Sequence, residues 1–344
     1  MTGFIYRPWG RPAWLCEKFG DIKWTLIACL GTECRSVKSA LQLSRFASES
    51  ILVQVNDPPL GTDTFRLKQS QALNGNHHYF ESHCEGDFHV EQADLKASID
   101  RVEKICNLGG QSRNVILDIS SFPKRWFFPM IRFLVENDNI KNLQVVYTRG
   151  NSHATLLAES PETLRVLPTF ASMDARTDHD FAFVGVGFHL HSMLTMFGED
   201  RARTMHLLFP FPPGPPSIQR NWKFVQQVER VVQKDETLTD GVEPIKFLHV
   251  DAFDVSLAFD AMRIATNNAL RTSMMAPYGP KPLSLAMCLF SISADMSNCD
   301  DVPAYYSQPQ KYAIDYTLDV AMRLGELDAW SYAIKKSGKY LYKL

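Results

Sequence analysis

Two stretches of this chain share a layout that limits what it can fold into. Residues 114–136 (NVILDISSFPKRWFFPMIRFLVE) and 274–292 (MMAPYGPKPLSLAMCLFSI) each carry a short apolar run, a turn, and a longer apolar run opened by Pro-Lys. A brief apolar run bounded by turn residues is a buried strand, and proline suits the first turn of the helix that follows. Two such strand–turn–helix units in one chain point to a duplication.

Further landmarks repeat in the same order. In the first half, residues 24–30 (WTLIACL) predict a buried strand, then a loop at 31–35 and a helix over 36–45. A strand at 50–55 (SILVQV) ends at Asn56-Asp57-Pro58-Pro59. Residues 61–87 read as an irregular polar region, 88–90 as a short extended piece, Asp94 as the cap of a helix reaching Leu108, and 143–148 (LQVVYT) as a fourth strand. In the second half the counterparts are 181–186 (FAFVGV), a loop at 187–191 with a helix from Ser192, 204–209 (TMHLLF) ending in prolines, 246–250, and 302–307 (VPAYYS). The offsets are about 154 to 160 positions throughout, which makes chance similarity a poor explanation.

Strands alternating with helices, with continuous apolar runs, predict parallel sheets covered on both faces. The expected fold class is therefore α/β: two tandem Rossmann-like parallel-sheet units related by an internal duplication. The boundaries read as 1–160 for the first unit, 161–317 for the second, and 318–344 for a C-terminal amphipathic helix and tail. Ligands bind beyond the carboxyl ends of strands in such sheets, and that rule selects the turns. Ser120, Ser121, Lys124 and Arg125 in the first, with Gly279, Lys281 and Ser284 in the second, combine hydroxyl donors, cations and a close-approach glycine suited to an anion. The competing reading is of ordinary helix starts with solvated basic residues.

Composition narrows the function. The 344 residues are 45% hydrophobic and 22% charged with a formal net charge of -2, the profile of a soluble globular protein. Near-neutral charge disfavours nucleic acid as the main partner. No apolar stretch of about 18 or more uncharged residues predicts a membrane span. Seven scattered cysteines, without a C-x-x-C pair or an export signal, predict reduced thiols and a cytoplasmic location.

The turn Tyr278-Gly279-Pro280-Lys281-Pro282-Leu283-Ser284, within the two-fold layout, resembles the ligand-sensing domains of the CRISPR-associated Rossmann fold group. That resemblance implies a nucleotide- or phosphate-ligand-binding sensor or accessory protein in prokaryotic anti-phage defence. In that group a dimer of single domains builds the pocket and an effector domain follows. Here both units lie in one chain, so output passes to a protein effector or complex partner. No cofactor is implied.

Two other readings fit the same residues. A nucleotide-processing hydrolase would use Asp118 and Glu33 as acid/base groups beside Lys124 and Arg125, although acidic residues at strand ends more often cap helices or pair with arginines. The second half has Met275 where the first has Asp118, so catalysis would be confined to the first half. A non-catalytic scaffold is the third reading. Binding rather than catalysis is the expectation.

His77, His78, His83 and Cys84 are numerous enough for a metal, but their spacing matches no structural zinc pattern, and a polar loop is the expectation. His189 and His191 form a further pair, and residues 209–216 (FPFPPGPP) a rigid proline-rich segment. Trp126-Phe127-Phe128 reads as the buried face of the helix after Pro123.

Overall fold

The computed structural model describes residues 4–20, 22–58, 60–154, 157–172, 178–187, 201–211, 222–223, 225–226 and 245–344. The helix expected from Ser192, the His189/His191 pair and the proline-rich segment beyond Phe211 lie outside them. The chain forms two compact units: Arg7–Pro161 with Pro309–Leu341, and Met1–Tyr6 with Glu162–Gln308 and Tyr342–Leu344. The chain thus crosses into the second unit after Pro161 and returns to the first at Pro309.

In the first unit, β1 (Trp9–Gly10), α1 (Pro12–Lys18), β2 (Trp24–Cys29), α2 (Cys34–Ser44), β3 (Ala47–Asn56), α3 (Asp63–His83), β4 (Asp87–Asp94), α4 (Ile99–Gly109), β5 (Asn114–Asp118), α5 (Lys124–Glu136) and β6 (Asn142–Thr148) follow in order. Strands β6-β5-β2-β3-β4 lie side by side and parallel. Every residue of β2 is buried, as a central strand covered on both faces requires. On one face Leu26 and Ala28 pack with Val37, Ala40 and Leu43 of α2 and Phe80 of α3. On the other, a Cβ at Gly109 would stand 2.5 Å from Ile27 Cδ1, so glycine lets α4 lie directly on the strand. The aromatic run is core: Trp126, Phe127 and Phe128 are buried, and Trp126 Nε1 donates to the Leu95 carbonyl at 3.2 Å. Each such burial stabilises the unit by about 1.5–3 kcal/mol.

Two expectations for this unit are corrected. Residues 63–83 form one long helix rather than an irregular stretch; its inward stripe is so thin that only Phe80 is buried, which left little apolar period to read. Residues 318–344 hold no helix. After β7 (Ala158–Pro161) pairs with a later strand, numbered below, the hairpin of β15 (Met322–Arg323) and β16 (Glu326–Leu327) leads into β17 (Ala329–Lys336), which pairs antiparallel with β6; β1 and β18 (Lys339–Tyr340) pair with β17. Residues 329–335 satisfy an exposed sheet edge, and that tertiary demand overrides the helical pattern.

The second unit holds β8 (Arg165–Val166), β9 (Asp178–Gly185), β10 (Arg201–Phe211), β11 (Ile245–Asp251), α6 (Val255–Ala265), β12 (Ser273–Ala276), α7 (Lys281–Met296) and β13 (Tyr305–Tyr306). Its sheet runs β11-β10-β9-β12, all parallel, and Ala304 adds a parallel bridge to Met275. The strand expected at 302–307 is therefore only this bridge and β13, which turns to pair antiparallel with β8. Helix α7 is buried along nearly its whole length, the sign of a central helix. Both units are mixed α/β with parallel-rich sheets. Among the described residues no helix is long and apolar enough to cross a membrane.

Candidate functional site

In the first sheet the strand order reverses between β2 and β5, and the loops after these two strands flank that switch point. The β2 loop is tied down locally. Ser36 Oγ accepts from the Gly31 amide at 3.2 Å and donates to the Glu33 carbonyl at 2.7 Å, while Asn76 Nδ2 of α3 donates to the Gly31 carbonyl at 2.8 Å. The β5 loop is held by Asp118, whose Oδ1 accepts from the Ser120 amide at 2.9 Å and from the Ser120 hydroxyl. Ser120 Oγ in turn accepts from the Thr148 amide at 2.7 Å, and the Thr148 hydroxyl meets Ser39 Oγ at 2.7 Å. Asp118 and Ser120 are thus buried fasteners of the strand ends.

Glu33 has a similar role. Its carboxylate lies 3.1 Å from Arg35 Nη2 and accepts from Thr317 Oγ1 at 2.5 Å, and Arg35 Nη1 donates to the Thr148 carbonyl at 3.3 Å. Burial alone would push the Arg35 guanidinium down, but Glu33 beside it, with Tyr147 and Tyr316, more than offsets this and holds it above its ordinary value. Glu33 and Asp118, the two carboxylates selected as acid/base candidates, are both engaged in fixing the loops.

The other candidates of this half stand where the turn was expected to put them. A Cβ added at Gly31 would lie 3.7 Å from Ser121 Cβ, so the two switch-point loops face each other there. Ser121 Oγ is buried with no hydrogen-bond partner among the described residues. Helix α5 starts at Lys124 and Arg125 after Pro123, with no side-chain cap and no acidic residue in its first turn. Lys124 is buried rather than solvated.

A ladder covers this edge. Residues 149–154 and 316–321 run antiparallel, through the Ala321 amide on the Arg149 carbonyl at 2.9 Å and the Asn151 amide on the Asp319 carbonyl at 2.8 Å, with bridges at Gly150–Val320 and His153–Thr317; β7 then pairs with β14 (Pro309–Tyr312). It reaches the loops through Thr317 on Glu33 and through Asp319, 3.0 Å from Lys38. Near it Asp57, just past β3, is pushed up to about 6 by burial, against the Tyr312 amide and Gln69. Arg35, Thr148, Thr317 and Asp319 were not singled out from the sequence. Arg35 stands next to the Glu33 loop and could have been paired with it; Thr317 and Asp319 arrive only through the chain's return.

In the second unit the geometry differs. A Cβ at Gly187 would fall 1.9 Å from the Tyr278 carbonyl oxygen, one at Gly185 2.9 Å from the Gly279 amide nitrogen, and one at Gly279 3.2 Å from the Val186 carbonyl oxygen. The ends of β9 and the turn before α7 therefore touch backbone to backbone. Ser284 Oγ is buried and donates within its own turn, to the Pro280 carbonyl at 3.2 Å. Lys281 opens α7, half-buried. Gly279 and Ser284 serve chain packing here.

The histidine set does not converge. His77 and His78 are consecutive on α3, His83 Nδ1 lies 2.8 Å from the Tyr79 carbonyl, and Cys84 Sγ contacts the Gly86 carbonyl. Among the described residues no three His, Cys, Asp or Glu side chains are placed to hold a metal.

No protein-family model and no curated protein matches the chain. Among the solved structures similar to parts of it are the three that follow. A universal stress protein from Archaeoglobus fulgidus DSM 4304 matches at 12% identity over 83% of this chain and 96% of that one, with a TM-score of 0.24. Glucose-6-phosphate 1-dehydrogenase from Mycobacterium avium matches at 14% identity over 71% and 40%, with a TM-score of 0.23. A short chain dehydrogenase from Mycobacterium paratuberculosis, bound to NAD, matches at 9% identity over 76% and 98%, with a TM-score of 0.26.

Proposed function

We propose that the first unit binds a phosphate-bearing small molecule, a nucleotide being the chemistry of choice, at the switch point between β2 and β5. The observation that carries this reading is Ser121: a buried hydroxyl without a partner among the described residues, across from Gly31, beside a helix whose first turn holds two cations and no acidic residue. The protein acts as a sensor or accessory protein rather than a hydrolase, because Glu33 and Asp118 hold loops and leave no carboxylate assigned to proton transfer. Internal duplication is part of the same proposal. It is supported by the common order of the two parallel sheets, β4-β3-β2-β5-β6 and β11-β10-β9-β12 with Ala304 in the fifth place. In this reading the second switch point closed after duplication by glycine packing, and binding falls to the first. The setting in prokaryotic anti-phage defence, with output through a protein partner, rests only on the resemblance of the two-fold layout and the turn at 278–284.

The test is thermal unfolding of the full chain against mononucleotides, cyclic dinucleotides, cyclic oligoadenylates, NAD and inorganic phosphate. A ligand at a hundred times its Kd stabilises by about 2.7 kcal/mol. The shift is expected to disappear in Ser121→Val and to persist in Lys281→Ala. Absence of a shift with every compound, or a shift that Ser121→Val leaves intact, overturns the reading.

A further inference from the structure

A second surface of the first unit has no role in the site described above. Beside the edge strand β1 lies an open cleft of about 410 Å³ whose walls are Trp9, Trp14, Trp330, Arg11 and the tip of the β15–β16 hairpin. Trp9 and Trp330 meet with ring centroids 5.3 Å apart, and the guanidiniums of Arg11 and Arg323 sit over Trp330 at 5.2 and 5.6 Å. Trp14 stands against Gly10, where a Cβ would come within 3.0 Å of the indole, and is 40% exposed.

The hairpin tip is the informative part. Leu324 and Gly325 both have positive φ, 55° and 83°, as a tight two-residue turn demands. The neighbouring turn at Ser337 and Gly338 meets the same demand with a small polar residue and a glycine. At the first turn a leucine takes the left-handed conformation and leaves its side chain 96% exposed, next to Met322 at 55%. Local folding favours asparagine or aspartate there, so the apolar side chain costs stability and leaves apolar surface in water. Tryptophan, arginine and exposed leucine or methionine around one open cleft is the composition of a protein contact, rich in the residue types that carry binding energy.

Charge decides the partner. Among the described residues no acidic side chain lines the cleft. Arg11 reaches Asp328 at 3.5 Å, whereas Arg323, opposite Glu326 across the hairpin, makes no ion pair among the described residues and lies over Trp330. Pro8 and Pro12 flank the two residues of β1 and limit addition of a strand along that edge, so recognition runs through side chains. We infer that this cleft docks a segment of a partner protein that presents apolar or aromatic anchors flanked by acidic residues, the anchors lying between Trp14 and Leu324 and an acid pairing with Arg323. This holds or fails independently of the phosphate site.

The test uses the full chain and three fluorescein-labelled probes followed by anisotropy: a peptide with a Phe-Leu pair flanked by glutamates, the same peptide with lysines for glutamates, and oligothymidylate. The acidic peptide is expected to bind, the lysine peptide not to bind, and Arg323→Glu and Trp14→Ala each to weaken binding by at least about tenfold. Both side chains are exposed, and unchanged thermal unfolding of Arg323→Glu separates a lost contact from a lost fold. No binding of the acidic peptide, or binding that neither variant weakens, overturns the inference. So does preferential binding of oligothymidylate lost in the same variants, which would make the cleft a base-stacking platform.

Discussion

Glu33 and Arg35, separated by one residue at the start of α2, form a buried ion pair: carboxylate and guanidinium are 3.1 Å apart, with side chains 11% and 3% exposed. The pair is clamped from above by Thr317 on Glu33, 284 residues along the chain, and from below by Arg35 on the Thr148 carbonyl. It is the junction of the β2 loop, the end of β6 and the returning ladder. Replacing Glu33 by alanine leaves Arg35 buried and unpaired, which is expected to cost about 3–5 kcal/mol. Replacing both by leucine and methionine should cost less than the single change, because no charge is then stranded. Urea unfolding of the two variants decides it; a loss below about 1 kcal/mol in Glu33→Ala would show that the pair is slack.

Ser120 joins Asp118 to the Thr148 amide inside the unit. Ser120→Ala removes the acceptor for that amide in a fully buried place, at an expected cost of about 1–3 kcal/mol. The local readout is hydrogen exchange: the Thr148 amide should lose protection well before neighbouring amides of β6. Unchanged protection at Thr148 would refute the fastener role.

How much of this was legible beforehand follows from which residues carry their own explanation. Residues 24–30 and 114–118 announce buried strands because a central parallel strand is apolar on both faces, and Pro123-Lys124 marks a helix start by the backbone preference of proline. Ser121, Lys124 and Arg125 came with that turn. Helix α3 did not announce itself, since one fully buried residue, Phe80, seats it against α2 and the sheet. Nor did the strand at 329–336, whose pairing with β6 is decided by residues almost two hundred positions earlier. Thr317 on Glu33 was beyond reach for the same reason, and with it the cover over the candidate site. Gly185 and Gly187 are used for close backbone contact with the turn at Tyr278 and Gly279, a tertiary demand with no local signal.

Those glycines predict opposite outcomes for one chemical change. Gly187→Ala puts a methyl group 1.9 Å from the Tyr278 carbonyl oxygen, where no rotamer relieves it, and the second unit is expected to fail to fold or to lose more than about 3 kcal/mol. Gly75 lies within α3 with nothing within 4 Å of an added Cβ, so Gly75→Ala should stabilise by about 0.5–1 kcal/mol. Chemical denaturation of both variants checks the contrast, and equal effects would contradict the packing at the end of β9.

Asp57 gives a pH dependence whose sign is set by burial. Its carboxyl is raised from 3.8 to about 6 in the folded chain by desolvation, which the Tyr312 amide and Gln69 only partly oppose. Between those two values the folded state binds the proton more tightly than the unfolded state does. Stability is therefore greater below the lower value and falls as pH rises towards and past 6, by at most about 3 kcal/mol for a two-unit shift. Asp57→Asn keeps an acceptor for the Tyr312 amide and removes the charge. It should be more stable than the parent at pH 7.5, by about 1–3 kcal/mol, with the difference shrinking to nothing near pH 4. Urea midpoints of the two proteins across this range are the measurement. A parent protein that gains stability from Asp57 as pH rises, or a variant equal to it at pH 7.5, would mean that the carboxylate is solvated and that the ladder at Tyr312 does not seal the end of β3.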